Sequence, residues 1–312
     1  MSDTLTAAVI QCGSTLFDTE ATLADLERLA EEAAGRGAQL IVFPEAYIGG
    51  YPKGHDFGAR VGSRSAEGRD WFARYFNAAI EVPGLECQRI GSAAKSAGVW
   101  LVVGVIEREG GTLYCSVLTF TPQGDLAGRR RKLMPTAMER LIWGFGDGST
   151  LETVETPWGE MSALICWENY MPLARAAFYA QNPVIHCAPT VDDRDVWLSA
   201  MRMVAMEGRC FVLSANQFMT RADTPGDFHP VQGEAPETEL IRGGSCIISP
   251  LGDVLAGPVF GRETILTAEL DLDQVARGTF DFDVDGHYAR PDVFQLKINT
   301  ARQRPATFSD ET

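Results

Sequence analysis

The segment ALICWENY occupies residues 163–170, and a proline follows at position 172. An apolar run that enters a cysteine and stops at asparagine and proline predicts a short buried strand followed by a helix. This places the Cys166 thiol at a strand-to-helix elbow. The positive end of the helix would then lie near the sulfur and favour the thiolate over the thiol. The alternative is that Cys166 is one more packed cysteine, because a free cysteine behaves as a small hydrophobe.

The composition predicts a large folded core. The chain has 312 residues, of which 45% are hydrophobic and 22% charged. We find no internal repeat and no low-complexity linker, so we expect one domain over residues 1–312 with a polar tail from about residue 296.

The charge and the cysteines restrict the class of protein. A net charge of −15 disfavours binding to nucleic acid or to an anionic membrane, and we interpret it as aiding solubility. No basic region followed by an apolar run opens the chain, and no apolar stretch approaches about 20 residues, so we expect neither a signal peptide nor a membrane span. Seven dispersed cysteines without a CxxC pair indicate reduced thiols and a cytoplasmic location. The four histidines form no zinc motif, so we expect no metal.

Strand and helix patterns alternate along the chain, which predicts an α/β sheet. Apolar runs predict strands at 5–12, 39–43, 99–106, 113–121, 126–133, 151–156, 161–166, 184–188, 210–215, 244–249, 254–257 and 265–270. Helical spacing predicts helices at 19–34, 71–79, 85–97, 173–179, 195–207 and 272–278. The Pro/Gly/acid-rich segment 221–240 favours a mobile loop over a part of the core.

Two further residues lie at predicted strand ends. Glu45 follows a strand stopped by Pro44, and Gly49 and Gly50 just after it allow close backbone approach. A lone glutamate in this position is usually a solvated loop acid. Lys132 ends the second arm of a hairpin, in the basic run at 129–132. Such a run is typical of a solvated face or, less often, of a nucleic-acid patch, which the acidic net charge disfavours.

Glu45, Lys132 and Cys166 together suit nucleophilic catalysis, and strands of one sheet can bring such ends together. A thiol is weakly nucleophilic until it loses its proton, and an adjacent carboxylate can accept that proton. A lysine in the same pocket can stabilise the negative charge of a tetrahedral intermediate, with the backbone N–H of Trp167 as a second donor. The Gly- and aromatic-rich loop at 137–148 lacks the GxGxxG arrangement of a nucleotide site.

The segments around these residues resemble the signature blocks of the nitrilase family, a branch of the carbon–nitrogen hydrolases. The three blocks are PEAYIGGYP at 44–52, RRKLMPT at 130–136 and CWENYMPL at 166–173. The resemblance continues through CAPT at 187–190, MEGRCFVLSANQ at 206–217, GGS at 243–245 and GHYARPDVF at 286–294. It implies Glu45 as general base, Lys132 as stabiliser of the intermediate and Cys166 as nucleophile. It also implies that Glu139 is a second pocket acid, which either orients Lys132 or handles protons of the incoming water.

The resemblance further implies a four-layer αββα sandwich of two mixed β-sheets, which pairs into homodimers or larger homo-oligomers across the helices after the nucleophile. It implies no cofactor. Trp167 and Glu168 after the cysteine resemble true nitrilases more than amidases. Position 137 is alanine where many aromatic-type nitrilases have a bulkier residue, which implies a differently shaped pocket, and the tail is short for members that form spirals.

We therefore expect hydrolysis of a small-molecule nitrile to a carboxylic acid and ammonia through a thioimidate and a thioester on Cys166. The substrate pocket is expected to involve Tyr51, Trp167, Pro189 and Thr190, together with the 137–143 loop. The alternatives are an amidase or a cyanide-degrading hydrolase of the same superfamily and, more remotely, a redox-sensing thiol protein. The redox alternative leaves Glu45 and Lys132 unexplained, and sensor thiols often lie beside a resolving cysteine.

Overall fold

The computed structural model of the protein describes residues 4–304 and 306. Residues 1–3 lie outside the described residues, and the expectation of no signal peptide falls partly on them. The end of the expected polar tail also lies outside the described residues. The strands are β1 (Thr4–Gln11), β2 (Leu40–Val42), β3 (Ala59–Arg60), β4 (Ser63–Arg64), β5 (Trp100–Glu109), β6 (Thr112–Phe120), β7 (Leu126–Arg131), β8 (Val154–Thr156), β9 (Gly159–Ala163), β10 (Ile185–Cys187), β11 (Phe211–Ser214), β12 (Phe218–Thr220), β13 (Glu239–Ile248), β14 (Val254–Phe260) and β15 (Thr264–Asp271).

The helices match the predicted amphipathic segments, and α2 begins earlier than expected because Ser65 caps its N-terminus. They are α1 (Thr19–Gly35), α2 (Ala66–Ala78), α3 (Leu85–Ala97), α4 (Pro172–Tyr179), α5 (Val196–Gly208) and α6 (Asp273–Thr279). Short 3₁₀ turns occur at Ala137–Leu141, Gly148–Thr150, Cys166–Tyr170 and Arg221–Asp223. No helix in the described part of the chain is both long and apolar enough to span a bilayer.

Two mixed sheets form the centre of the molecule. The first has the strand order β15-β1-β2-β5-β6-β7, with β1, β2 and β5 parallel. The second has the order β12-β13-β11-β10-β9-β8, with β9, β10 and β11 parallel and β14 paired to β13. The short strands β3 and β4 form a separate hairpin, which the sequence did not predict.

The buried side chains divide into layers. Val42 and Val102 of the first sheet and Leu213 of the second share one core between the sheets. Leu26 of α1 and Ile90 of α3 pack on the outer face of the first sheet, and α5 packs on the outer face of the second. This arrangement of helix, sheet, sheet and helix confirms the predicted αββα sandwich.

The segment at 221–240 differs from its prediction as a mobile loop outside the core. Phe228 is fully buried, and its ring packs against Phe17, His55 and Trp71. One aromatic residue in a Pro- and Gly-rich segment therefore anchors this loop, which a composition argument does not reveal.

Candidate active site

Glu45 lies three residues after the end of β2, where residues of both sheets contact the backbone. Gly104 of β5 permits this position, because a Cβ there would lie 2.3 Å from the carbonyl oxygen of Pro44. Gln217, which follows β11 in the second sheet, donates from Nε2 to the carbonyl oxygen of Glu45 at 2.8 Å. The Glu45 side chain is fully buried, so it is not the solvated loop acid that its position alone would suggest.

Lys132 follows β7 and points into the same buried space. Its backbone N–H donates to the carbonyl oxygen of Cys115 at 2.8 Å, which continues the pairing with β6. Its Nζ donates to Glu45 Oε1 at 2.6 Å and to Glu139 Oε2 at 2.8 Å, and lies 5.5 Å from the centre of the Trp143 ring. A buried ammonium group between two carboxylates is held in one geometry, because each contact is a charge-assisted hydrogen bond.

Glu139 lies in the 3₁₀ turn Ala137–Leu141 that follows the lysine loop. Its Oε2 accepts from the backbone N–H of Thr136 at 2.6 Å as well as from Lys132, and its Oε1 accepts from the Tyr51 hydroxyl at 2.8 Å. The residue therefore joins the turn, the lysine and the loop after Glu45.

Cys166 lies three residues beyond the end of β9, at the first residue of a 3₁₀ turn. Its φ is +52°, a left-handed conformation that is uncommon for residues other than glycine. Its N–H donates to the carbonyl oxygen of Pro189 at 2.9 Å, and its sulfur interacts with the Glu45 carboxylate and the Thr190 hydroxyl. The residue is 3% exposed.

The burial and the charges of this cluster shift the pKa values of its side chains. Burial raises the pKa of Glu45, and Lys132 only partly opposes that rise. Burial alone would lower the pKa of Lys132, but the facing Glu45 and the other acidic groups around the ammonium hold it well above its usual value. Burial raises the pKa of Cys166, and the Glu45 charge raises it further. The cluster at neutral pH therefore contains a thiol and an ammonium group, and Glu45 Oε2 accepts no hydrogen bond within the described part of the chain.

The structure thus brings Glu45, Lys132, Glu139 and Cys166 into one buried cluster. The expectation that strands of one sheet would assemble it was wrong, because Glu45 and Lys132 follow strands of the first sheet and Cys166 follows a strand of the second. The expected thiolate was also wrong for the resting protein, since only a short 3₁₀ turn follows the sulfur and burial dominates its pKa.

The four residues expected to bind substrate lie in different surroundings. Tyr51 contacts Glu139, the carbonyl group of Pro189 holds the Cys166 amide, and Thr190 is fully buried beside the sulfur. Trp167 is 41% exposed, and its indole N–H donates to Asp192 Oδ2 at 2.8 Å. Its ring therefore lies toward the surface.

A cavity of about 360 Å³ adjoins the acidic side of the cluster. Tyr51, Glu139 and Trp143 line it together with apolar and aromatic side chains that include Phe57 and Ile142. A mostly apolar cavity with a few polar groups is the usual form of a small-molecule site.

Several residues around the cluster were not predicted as functional. Glu168 accepts hydrogen bonds from Arg130 and from two backbone amides, and it is fully buried. Asn169 donates from Nδ2 to the carbonyl oxygens of Leu164 and Cys166, both at 2.9 Å. The Cys115 thiol lies 3.7 Å from Glu45 Oε1. Glu168 is the one charged residue of the block at 166–173, which was the available signal for it, whereas nothing in the sequence placed Cys115 beside Glu45.

Comparison with known sequences identifies relatives over nearly the whole chain. A family model described as carbon–nitrogen hydrolase matches residues 6–278. An aliphatic nitrilase of Sinorhizobium fredii (strain HH103) is 57% identical over 94% of this chain and 95% of that protein. The bifunctional nitrilase/nitrile hydratase NIT4A of Lupinus angustifolius is 52% identical over 98% of this chain and 89% of that protein.

Solved structures share the fold at lower identity. The C. elegans NitFhit protein superposes with a TM-score of 0.74 at 19% identity, over 97% of this chain and 69% of that chain. A carbon–nitrogen hydrolase of Helicobacter pylori G27 gives a TM-score of 0.70 at 21% identity, over 93% of this chain and 96% of that chain.

The chain therefore belongs to the carbon–nitrogen hydrolase family. Within that family it falls in the nitrilase branch, which confirms the resemblance drawn from the signature blocks. It is a hydrolase that acts on carbon–nitrogen bonds.

Proposed function

We propose that this protein is a nitrilase, which converts an organic nitrile and two molecules of water into the carboxylic acid and ammonia. The observation that carries the proposal is the buried Lys132 between Glu45 and Glu139, with the Cys166 sulfur beside the same Glu45 carboxylate. Relatives named as nitrilases at 50–57% identity support the nitrile as substrate.

The reaction begins with proton transfer from the Cys166 thiol to Glu45, whose Oε2 is free to accept it. The sulfur attacks the nitrile carbon, and the nitrogen takes up the proton to give a thioimidate. Water adds to this carbon, ammonia leaves and a thioester remains. A second water, which Glu45 deprotonates, releases the acid and restores the thiol. Lys132 stabilises the negative charge that develops in each addition.

Glu139 has one of two roles in this scheme. It holds Lys132 by the contact at 2.8 Å, or it handles protons of the incoming water through its contact with Tyr51. Tyr51 and Thr190 are proposed to contact the substrate. The carbonyl group of Pro189 is proposed to hold the elbow at Cys166, and Trp167 is proposed to contact the substrate at the rim of the site.

Amide is proposed as a second product. The relative from Lupinus angustifolius is named as both a nitrilase and a nitrile hydratase, at 52% identity to this chain. An amide forms when the tetrahedral intermediate loses the sulfur instead of ammonia, so the same site can yield both products.

A substrate panel with two variants tests these proposals. Phenylacetonitrile, a dinitrile, the matching amides and cyanide are supplied, and ammonia, acid and amide are measured. We expect nitriles to be turned over in preference to amides and cyanide. Cys166→Ala should abolish ammonia release, whereas Cys246→Ala, which removes a buried thiol from the second sheet, should retain it. Glu45→Gln should bind substrate but lose at least about 10²-fold in kcat, because an amide cannot accept the proton.

Intact-mass analysis of a quenched reaction should show a substrate adduct that is lost in Cys166→Ala. Full turnover by that variant would contradict the assignment of the nucleophile, and exclusive turnover of amides would favour an amidase.

The remaining proposals concern the whole protein. We propose a homodimer or larger homo-oligomer, since Leu173 of α4 and Val196 and Met203 of α5 are exposed apolar side chains on one outer layer. The free, buried state of all seven cysteines supports a cytoplasmic location, and the net charge of −15 argues against nucleic-acid or membrane partners. We propose one catalytic domain over residues 1–312, with a polar tail from about residue 296, because the two sheets share one core.

A further inference from the structure

Glu168 is a buried carboxylate whose hydrogen bonds converge from both sides of the site. Its Oε1 accepts from the Leu133 backbone N–H at 2.6 Å, and its Oε2 accepts from the Ile165 backbone N–H at 2.8 Å. Arg130 donates to both oxygens, with Nη1 at 2.8 Å from Oε2 and Nη2 paired with Oε1. The side chain is fully buried, and the Arg130 side chain is 5% exposed.

The two backbone amides belong to the immediate neighbours of the reacting residues. Leu133 follows Lys132 on the loop after β7 of the first sheet, and Ile165 precedes Cys166 on the segment after β9 of the second. One carboxylate therefore spans the junction between the sheets at the level of the site. A change in its length or charge would alter the separation of the Lys132 ammonium and the Cys166 sulfur.

We propose that Glu168 is a positioning residue, which holds the Lys132 and Cys166 segments at the separation that the reaction needs. The inference rests on the proposed roles of those two residues. It assigns Glu168 no contact with substrate. Its effect arises because a displacement of about 1 Å at a reacting centre costs on the order of 10²-fold in rate.

A carboxylate suits this position for a chemical reason. Ionised glutamate is an acceptor only, and here each oxygen receives one backbone N–H and one guanidinium N–H. In Glu168→Gln, the side-chain amide nitrogen replaces one acceptor oxygen and would face N–H donors. Only one of the two backbone N–H groups would keep its acceptor, so only one of the two segments could remain held. In Glu168→Asp, the charge opposite Arg130 remains, but the shorter side chain cannot reach both amides.

Glu107 offers a matched control. Its side chain is also fully buried and accepts from two arginines of β7, Arg129 and Arg131, as well as from Ser116 at 2.8 Å. These contacts are to side chains only. Glu107→Gln therefore removes a comparable buried charge without releasing a backbone amide beside the reacting residues.

The experiment measures kcat and KM for a nitrile, with kcat normalised to the fraction of Cys166 that forms the mass-detected adduct. We expect Glu168→Gln to lose about 10²-fold in kcat with KM within about threefold of the wild-type value, and to release a larger share of amide. Glu168→Asp should show a smaller loss in normalised kcat, about tenfold, because the charge opposite Arg130 remains. Glu107→Gln should keep its normalised kcat within about threefold, since correct folding alone does not change turnover per competent site.

Two outcomes would overturn the inference. One is a normalised kcat of Glu168→Gln that stays within threefold of the wild-type value. If Glu168→Gln does not fold, the same result in Glu168→Asp overturns the inference. The other is an equal loss in Glu107→Gln, which would assign the effect to general stability. Cys166→Ala is measured beside them. If it stays active, the proposed function itself fails, whereas an inactive Cys166→Ala with unaffected Glu168 variants refutes only the positioning role.

Discussion

At the level of single residues, the protonation state of Cys166 determines which neighbours the proposed reaction requires. Burial raises the pKa of this thiol, and Glu45 raises it further, so the sulfur keeps its proton at neutral pH. Attack on a nitrile must then be coupled to proton transfer, and Glu45 is the carboxylate beside the sulfur. All seven cysteines are buried, whereas redox-sensor thiols are accessible and have a low pKa, so these surroundings disfavour the redox alternative.

Glu139 should affect the pH dependence of the reaction through Glu45. Its negative charge raises the pKa of Glu45, so Glu139→Gln should lower that pKa. The base form of Glu45 then persists to lower pH, and the acidic limb of the kcat/KM profile should move to lower pH. We also expect kcat to fall by about tenfold or more, because Lys132 loses one of its two carboxylate partners.

The measurement is the pH profile of ammonia release, with Glu109→Gln as the control because Glu109 pairs with Arg131 instead of Lys132. The control should leave the limb in place. A limb that stays fixed or moves to higher pH in Glu139→Gln would show that Glu139 does not act on Glu45.

The sequence predicted the proposed reacting residues, Glu45, Lys132 and Cys166, because each lies at or just past the end of a predicted strand. It did not predict their buried partners, since hydrogen bonds across two sheets leave no periodic pattern. His186 is an example. Its Nε2 lies 2.8 Å from Asn169 Oδ1, its Nδ1 lies 2.8 Å from Ser162 Oγ, and burial lowers its pKa to about 3. The sequence indicated only that this histidine was not a zinc ligand.

At the level of secondary-structure elements, the 3₁₀ turn Cys166–Tyr170 depends on Asn169. The Asn169 amide donates to the carbonyl oxygens of Leu164 and Cys166, so it fixes the elbow in which Cys166 has its positive φ. Asn169→Ala should lower the free energy of unfolding by roughly 2–3 kcal/mol, because two buried carbonyl groups lose their donor. It should also lower kcat, because Cys166 is free to relax to a commoner backbone conformation.

Denaturant unfolding and kcat, compared with Asn77→Ala on the exposed side of α2, would measure both effects. The control should change neither by much. A stable and fully active Asn169→Ala would mean that the elbow keeps its conformation without this side chain.

Strand β7 illustrates how much of an element the sequence can specify. The basic run at 129–132 was expected to form a solvated face, but Arg130 is 4% exposed and pairs with Glu168. Side chains alternate along a strand, so Arg130 and Lys132 share one face while Arg129 and Arg131 share the other, where both pair with Glu107. The predicted strand was enough to show which of these side chains share a face. It did not reveal the carboxylates that pair with them, because Glu107 lies on β5 and Glu168 lies on the elbow after β9.

At the level of the whole molecule, the site exists only while the two sheets are packed together. Glu45 and Lys132 belong to the first sheet and Cys166 to the second, and Gln217 and Glu168 bridge them by hydrogen bonds to the backbone. Alternating strand and helix patterns predicted an α/β sheet, whereas the sandwich of two sheets was implied by the resemblance to the nitrilase family. The relative placement of the sheets depends on the core between them, which includes side chains from both, and no single segment specifies it.

The outer layer formed by α4 and α5 carries the prediction about assembly. Leu173 is 69% exposed and Met203 is 50% exposed, and α4 begins directly after the elbow that holds Cys166. Exposed apolar side chains on one layer of a folded protein can mark an interface, so Leu173→Glu combined with Met203→Glu should convert the proposed oligomer to a monomer. Size-exclusion chromatography with light scattering measures the mass, and Leu85→Glu, at an exposed position on α3 of the opposite layer, should leave it unchanged.

Because a partner on this face would support the elbow, we expect kcat to fall together with the mass. A wild-type protein that is monomeric at micromolar concentration would contradict the assembly, and a fully active monomeric variant would contradict only the link to catalysis.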